Sequence, residues 1–180
     1  MDPATERNVV VEELSLAVGR LDRLDSRLIP QGGVKVVYAI RGARDSNGIA
    51  GIPGGVTGDG HSPQECAFGT DPESARIVLT AMKFEPNIRA AAVLRYSQAA
   101  VESLDDMFLE CCSFNRAREP PGITTMDWGV ASCCKEGVPD VIFDTGASGK
   151  EGLIRLFGEK PDGVVNNIII LSNRIMNVEL

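Results

Sequence analysis

The 180-residue sequence holds a single histidine, His61, and that scarcity excludes more chemistry than any one motif establishes. A catalytic zinc site built on clustered imidazoles needs several of them around one ion, and one cannot supply it. Cysteine does not fill the gap. Five are present, an odd number, and four stand in adjacent pairs, Cys111–Cys112 and Cys133–Cys134. Adjacent residues on a strand point to opposite faces, so such a pair does not offer two thiolates to one metal. C-x-x-C spacing is absent as well. The expectation is no metal site and a set of reduced, buried thiols. Positive charge is also short. The formal net charge is −7, which argues against a nucleic-acid-binding surface. No apolar run reaches the roughly 18 residues of a membrane span. The opening segment MDPATERN lacks the charged-then-apolar layout of a signal peptide. A cytoplasmic protein is expected. With 43% apolar and 24% charged residues, the composition is that of an ordinary globular chain, expected to form one domain over 1–180.

What is present centres on residues 139–158, PDVIFDTGASGKEGLIRLFG. Val141, Ile142 and Phe143 read as a strand that ends in Asp144. Gly146, Ala147, Ser148 and Gly149 follow, and Lys150 then opens a predicted amphipathic helix through Leu153, Ile154, Leu156 and Phe157. A strand, a small-residue turn and a helix N-terminus make an anion site, because free N–H groups and the positive end of the dipole converge there. The same turn also serves as a plain structural connection in many α/β chains, and that reading stays open. The stretch is not a P-loop: Asp144 and Glu151 stand where Gly and Ser or Thr are required.

Elsewhere, a helix is predicted over 9–25 and a β-branched strand over 34–40. A Gly-rich loop from Arg41 to Ser62, which includes His61, is long enough to suggest function, and a flexible surface excursion fits it equally. Asp71 and Pro72 start a helix that ends before Pro86. A strand over 88–95 leads to Ser97, the expected cap of a helix over 98–109. Residues 110–114 read as a short strand, Thr124 or Thr125 as the cap of a further helix, and a last helix starts near Asp162, where the apolar NIIIL also fits a strand. Alternating strands and helices indicate an α/β fold.

The motifs LIPQGGVKVVYAIRGA at 28–43, AGIPG at 50–54, CAFG at 66–69, LRYS at 94–97, CCSFNRAREP at 111–120, DWG at 127–129 and the 139–158 stretch occur in order. Together they resemble the ThiN domain, the archaeal-type thiamine-phosphate synthase. The resemblance implies a three-layer α/β/α fold with a mixed, mostly antiparallel sheet, similar to class II aldolases. It implies a role in thiamine biosynthesis, joining a pyrimidine pyrophosphate to a thiazole phosphate with Mg²⁺, and a site for thiamine phosphate or a precursor. Through it, Lys150, Gly149, Ser148 and Gly146 become candidates for phosphate binding, with Arg95 and Ser97 from the R-Y-S strand end and Arg116 from the S-F-x-R stretch. Asp144 matches the acid that ends the family's strand, where it orients a pyrimidine amine, helps hold Mg²⁺ or caps the turn.

Two positions depart from the pattern. The family's synthases carry an arginine directly after the G-x-P-G turn, and Gly55 stands there. They carry a histidine at the start of the long helix, and Glu73 stands there. Both absent groups serve synthesis in the family. The leading expectation is therefore a domain that binds thiamine phosphate or a related phosphate ester without full synthase activity, with no catalytic residue assigned. The alternative is an active synthase that relies on Arg41, Arg44 or His61. Mg²⁺ belongs only to a catalytic or pyrophosphate-bound form. No direct nucleic-acid or membrane contact is expected. A homodimer and a DNA-binding partner or fusion are the assemblies left open.

Overall fold

The computed structural model describes residues 1–59, 63–121 and 127–178. Helix α1 (Pro3–Val18) starts on Asp2, whose carboxylate accepts from Thr5 N at 2.9 Å. It begins and ends earlier than its apolar spacing predicts, because Asp2–Pro3 forms a good start signal and Gly19 a stop. Leu21 and Leu24 stay buried beyond it, outside any helix. Strands β1 (Lys35–Ala39), β2 (Ile49–Gly51) and β3 (Ala67–Phe68) follow. Helix α2 (Pro72–Phe84) is capped by Asp71 as expected, with Ser74 N donating at 3.1 Å. Strand β4 (Ala90–Arg95) and helix α3 (Gln98–Asp106) come next, and Ser97 caps α3 by accepting from Ala100 N at 3.1 Å.

After β5 (Cys111–Ser113), the short helix α4 (Trp128–Cys133) is capped by Asp127. The threonines expected in that role, Thr124 and Thr125, lie outside the described residues, as does His61. Strands β6 (Val141–Phe143) and β7 (Leu153–Gly158) precede the last helix, α5 (Pro161–Val178).

Strand β7 overturns the helix predicted after Lys150. It lies inside the sheet, whose order is β3-β2-β1-β4-β7-β6-β5. All pairings in that order are antiparallel except β5 with β6. Ile154 and Leu156 enter a core cluster shared with α1, α3 and α5. Phe157, with Leu153 packed alongside, enters a second cluster shared with α2 and α4. An interior strand is apolar on both faces, and over six residues that pattern cannot be told from a helix by spacing. The three consecutive alanines Ala90, Ala91 and Ala92 of β4 are fully buried at the centre.

The thiol expectation also needs correction. Cys112 of β5 and Cys133 of α4 form a disulfide, with Cα atoms 5.9 Å apart. Sequence adjacency hid the pairing: the partner of each is the cysteine across the fold, not its neighbour. Cys134 is free and buried, and burial with the nearby Glu85 carboxylate pushes its thiol up to about 11. Among the described residues, no helix is long and apolar enough to cross a membrane.

Candidate functional site

Antiparallel register sets Lys35 opposite Val93, Val93 opposite Arg155 and Arg155 opposite Ile142. Side chains in one such row share a face, so Lys35 and Arg155 both rise toward α2 and α4, about 10 Å apart across β4. A cleft of about 380 Å³ opens there, with Arg116, Lys150, Asp71, Glu73 and Asp127 also in its walls. A larger, shallower concavity of about 670 Å³ is lined by Asp105, Asp106, Glu110 and Asp140 beside the exposed Phe108. Its charges are all negative, so it does not suit an anionic ligand.

The floor of the cleft is a buried ion triad. Asp144 has no exposed surface and Arg155 only 5%. The Asp144 Oδ1 atom accepts from Arg116 Nη2 at 2.8 Å and from Arg155 Nη1 at 3.0 Å. Its Oδ2 accepts from Gly146 N at 3.0 Å. Arg116 Nη1 also donates to Glu151 O at 3.2 Å, and the Arg155 guanidinium lies 5.0 Å from the Phe114 ring centre. Two guanidiniums on one carboxylate leave one positive charge in excess away from water, where it is worth most to an incoming anion. Arg155 Nε has no hydrogen-bond partner among the described residues. A buried donor left unpaired costs about 1–3 kcal/mol, which an acceptor from a ligand would recover.

The sequence candidates divide around this triad. Arg116 and Lys150 line the cleft. Asp144 lies beneath it as the anchor of both arginines. Gly146, Ser148 and Gly149 belong to the turn joining β6 to β7, not to a helix start. Ala147 and Lys150 exchange backbone hydrogen bonds at 3.1 and 2.9 Å, and Gly146 N is taken by Asp144. With no helix after Lys150, the dipole argument for an anion falls away. Gly149 takes φ 73 and Gly146 φ 99, which explains the glycines by the turn alone. Arg95 is half exposed and pairs with Glu151 at 3.4 Å, and the Ser97 hydroxyl is engaged in the α3 cap. Neither lines the cleft.

Of the two departures from the family pattern, one comes to this cleft. Glu73 lines it. Gly55 is not among its lining residues and backs onto the segment that precedes β1: a Cβ there would stand 2.7 Å from Gly32 O and 3.0 Å from Val34 O, at φ 68. Arg41 instead lies at the opposite end of the strands, beside Asn87, Arg89 and Lys160.

Lys35, Arg76 and Arg155 line the cleft and were missed from the sequence. One signal was available: Arg155 is the lone charge in the apolar run LIRLFG. Read as a strand, that run has a charged residue with no exposed face to occupy. Among the described residues, no three of His, Cys, Asp and Glu converge to hold a metal ion.

The family model for thiamine-phosphate synthase ThiN matches residues 13–170. The bifunctional thiamine biosynthesis protein ThiDN of Methanocaldococcus jannaschii is 33% identical over 168 residues, 90% of this chain and 40% of that protein. The chain thus spans well under half of that relative's length. Thiamine-phosphate synthase ThiN of Methanothermobacter thermautotrophicus is 28% identical over 141 residues, 73% of this chain and 74% of that one. The crystal structure of the C-terminal domain of protein MJ0236 matches with a TM-score of 0.85 at 31% identity, covering 97% of this chain and 98% of that one. An aldolase II superfamily protein from Pseudomonas syringae matches with a TM-score of 0.52 at 11% identity, covering 99% and 76%, a likeness of fold alone.

Proposed function

The chain belongs to the ThiN family of thiamine biosynthesis, and from that membership we propose that it binds thiamine phosphate or a related phosphate ester without carrying out full synthesis. The observation that carries this reading is the buried Arg116–Asp144–Arg155 triad, with its excess positive charge and its open Arg155 Nε beside the cleft. A phosphate there accepts from Arg155 and Arg116, and Lys150 closes over it as a mobile point charge. Asp144 fixes both guanidiniums in place before the ligand arrives, which lowers the ordering cost of binding.

Synthesis makes a further demand. The pyrophosphate that leaves the pyrimidine carbon needs positive charge waiting for it. Gly55 supplies none, and Glu73 supplies charge of the wrong sign. By analogy with removing an oxyanion donor, one such loss raises the barrier by roughly 3–4 kcal/mol, or about 10²–10³ in rate. The two core clusters on opposite faces of the sheet support the three-layer, aldolase-like arrangement that the family implies.

Two measurements test the reading. Titration calorimetry with thiamine phosphate should give a dissociation constant well below millimolar, and unphosphorylated thiamine should bind far more weakly. A coupled assay with both precursors and Mg²⁺ should give no turnover above a Lys150→Ala control. Robust turnover overturns the proposal in favour of an active synthase, and absent binding overturns it altogether.

A further inference from the structure

The charges of the cleft are unevenly placed on the elements that build it. The sheet and its loops contribute the cations Lys35, Arg155, Arg116 and Lys150 together with the acids Glu119 and Glu151. The start of α2 and the start of α4 contribute Asp71, Glu73 and Asp127. Two helix N-termini facing one cleft would ordinarily attract an anion. Here the Asp71 carboxylate accepts from Ser74 N at 3.1 Å and the Asp127 carboxylate accepts from Val130 N at 3.0 Å. Both termini are thus closed to a phosphate by the chain's own acids. Asp127 is held close to α2, since its backbone N donates to Thr80 Oγ1 at 2.9 Å. Glu151, the acid on the opposite wall, is engaged by Arg95 at 3.4 Å and by Gln31 N at 2.9 Å. Arg76 tempers the helix wall but lies one turn further along α2.

A ligand whose phosphate meets Arg155 Nε, a buried donor with no partner among the described residues, extends its other end toward these carboxylates. Resting on the reading of the cleft as a phosphate-ester site, we infer that Glu73 makes it selective for esters whose ring carries a fixed positive charge, such as a thiazolium, over those with a neutral ring. Glu73 is exposed in the first turn of α2 and makes no cap of its own, so its carboxylate is available to the ligand. A carboxylate beside a quaternary ring nitrogen is attracted without a proton to exchange, so the preference holds across neutral pH.

The cleanest probe is one skeleton in two charge states: the phosphate ester of 4-methyl-5-(2-hydroxyethyl)thiazole, and the same ester methylated on the ring nitrogen. Calorimetry on the whole chain should show the methylated, cationic ester binding about tenfold tighter. Glu73→Gln, which keeps the side-chain size at an exposed position, should remove most of that preference by weakening the cationic ester relative to the neutral one. It should also weaken thiamine phosphate by a similar factor. Equal affinity for the two esters in the wild type overturns the inference, as does a Glu73→Gln variant that binds thiamine phosphate as tightly as the wild type. A circular-dichroism spectrum and melting curve matching the wild type confirm that the variant is folded. If thiamine phosphate itself fails to bind the wild type, the functional reading falls and this inference with it. Binding without discrimination overturns only the inference.

Discussion

Arg89 and Arg155 are both buried, and each lies 5.0 Å from an aromatic ring centre, Tyr38 for Arg89 and Phe114 for Arg155. They sit at opposite ends of the same strands. The Nε atom of Arg89 donates to Ala39 O at 3.0 Å, and its Nη2 lies 3.7 Å from Glu6 of α1. Arg155 shares its one carboxylate with Arg116, and its Nε has no partner among the described residues. The same side chain, equally buried and equally stacked, is completed by the protein at one end of the sheet and left incomplete at the other. Burial alone therefore does not separate an arginine whose donors the protein completes from one with a donor left over; the tally of partners does.

The sharpest way to break this contrast is to remove the acid on which the incomplete end depends. Asp144→Ala leaves two guanidiniums facing each other in the core. It should cost about 3–5 kcal/mol of stability, read as a large fall in the melting temperature. Next comes an attempt to return the family's missing charge. Gly55→Arg forces a side chain into left-handed backbone against Gly32 O. A loss of about 3 kcal/mol is expected, with no synthase turnover gained in the coupled assay.

The arginines themselves should then cross over. Arg89→Met should lower stability by about 1–3 kcal/mol in urea unfolding and leave thiamine phosphate binding unchanged. Arg155→Met should do the reverse: a tenfold to hundredfold weaker affinity by calorimetry, from losing a charge-assisted bond of about 1.5–3 kcal/mol, and a stability change below about 1 kcal/mol. If both variants lose stability alike and neither affects the ligand, the contrast is wrong. The smallest effect belongs to Lys150→Ala. A solvated lysine over a phosphate is worth about 0.5–1 kcal/mol, a few-fold in affinity, and the melting temperature should not move.

How much of this was legible in the residues depends on how far each determinant reaches along the chain. The caps at Asp71 and Ser97 were plain, because a cap is settled within four residues. The strand before Asp144 was legible for similar reasons, whereas NIIIL fitted a strand as well as the helix that it forms. Strand β7 was not, since its neighbours on both faces come from distant elements and erase the alternation that marks a strand. The same error concealed the site. Placing Lys150 at a helix start directed attention to backbone donors of the turn, which the hairpin and Asp144 already occupy. Two further cations of the cleft, Lys35 and Arg155, are brought into one row by register across three strands, and no local pattern encodes register. Gly55 and Glu73 stood out as departures from a familiar order of motifs, but only the fold brings Glu73 to the cleft and sets Gly55 against the backbone of Gly32 and Val34.

The position of β7 at the centre of the sheet also bears on how the chain comes off the ribosome. Strand β4 finds its neighbour on one side, β1, early. Its other neighbour runs residue for residue from Ala90 against Gly158 to Arg95 against Leu153. Until that segment has left the exit tunnel, β4 presents a bare edge rich in alanine, and α1 lacks the face that α5 covers. Nascent chains stalled before residue 153 should thus remain open to proteases and chaperones, and compaction should come in a single late step once β7 and α5 emerge.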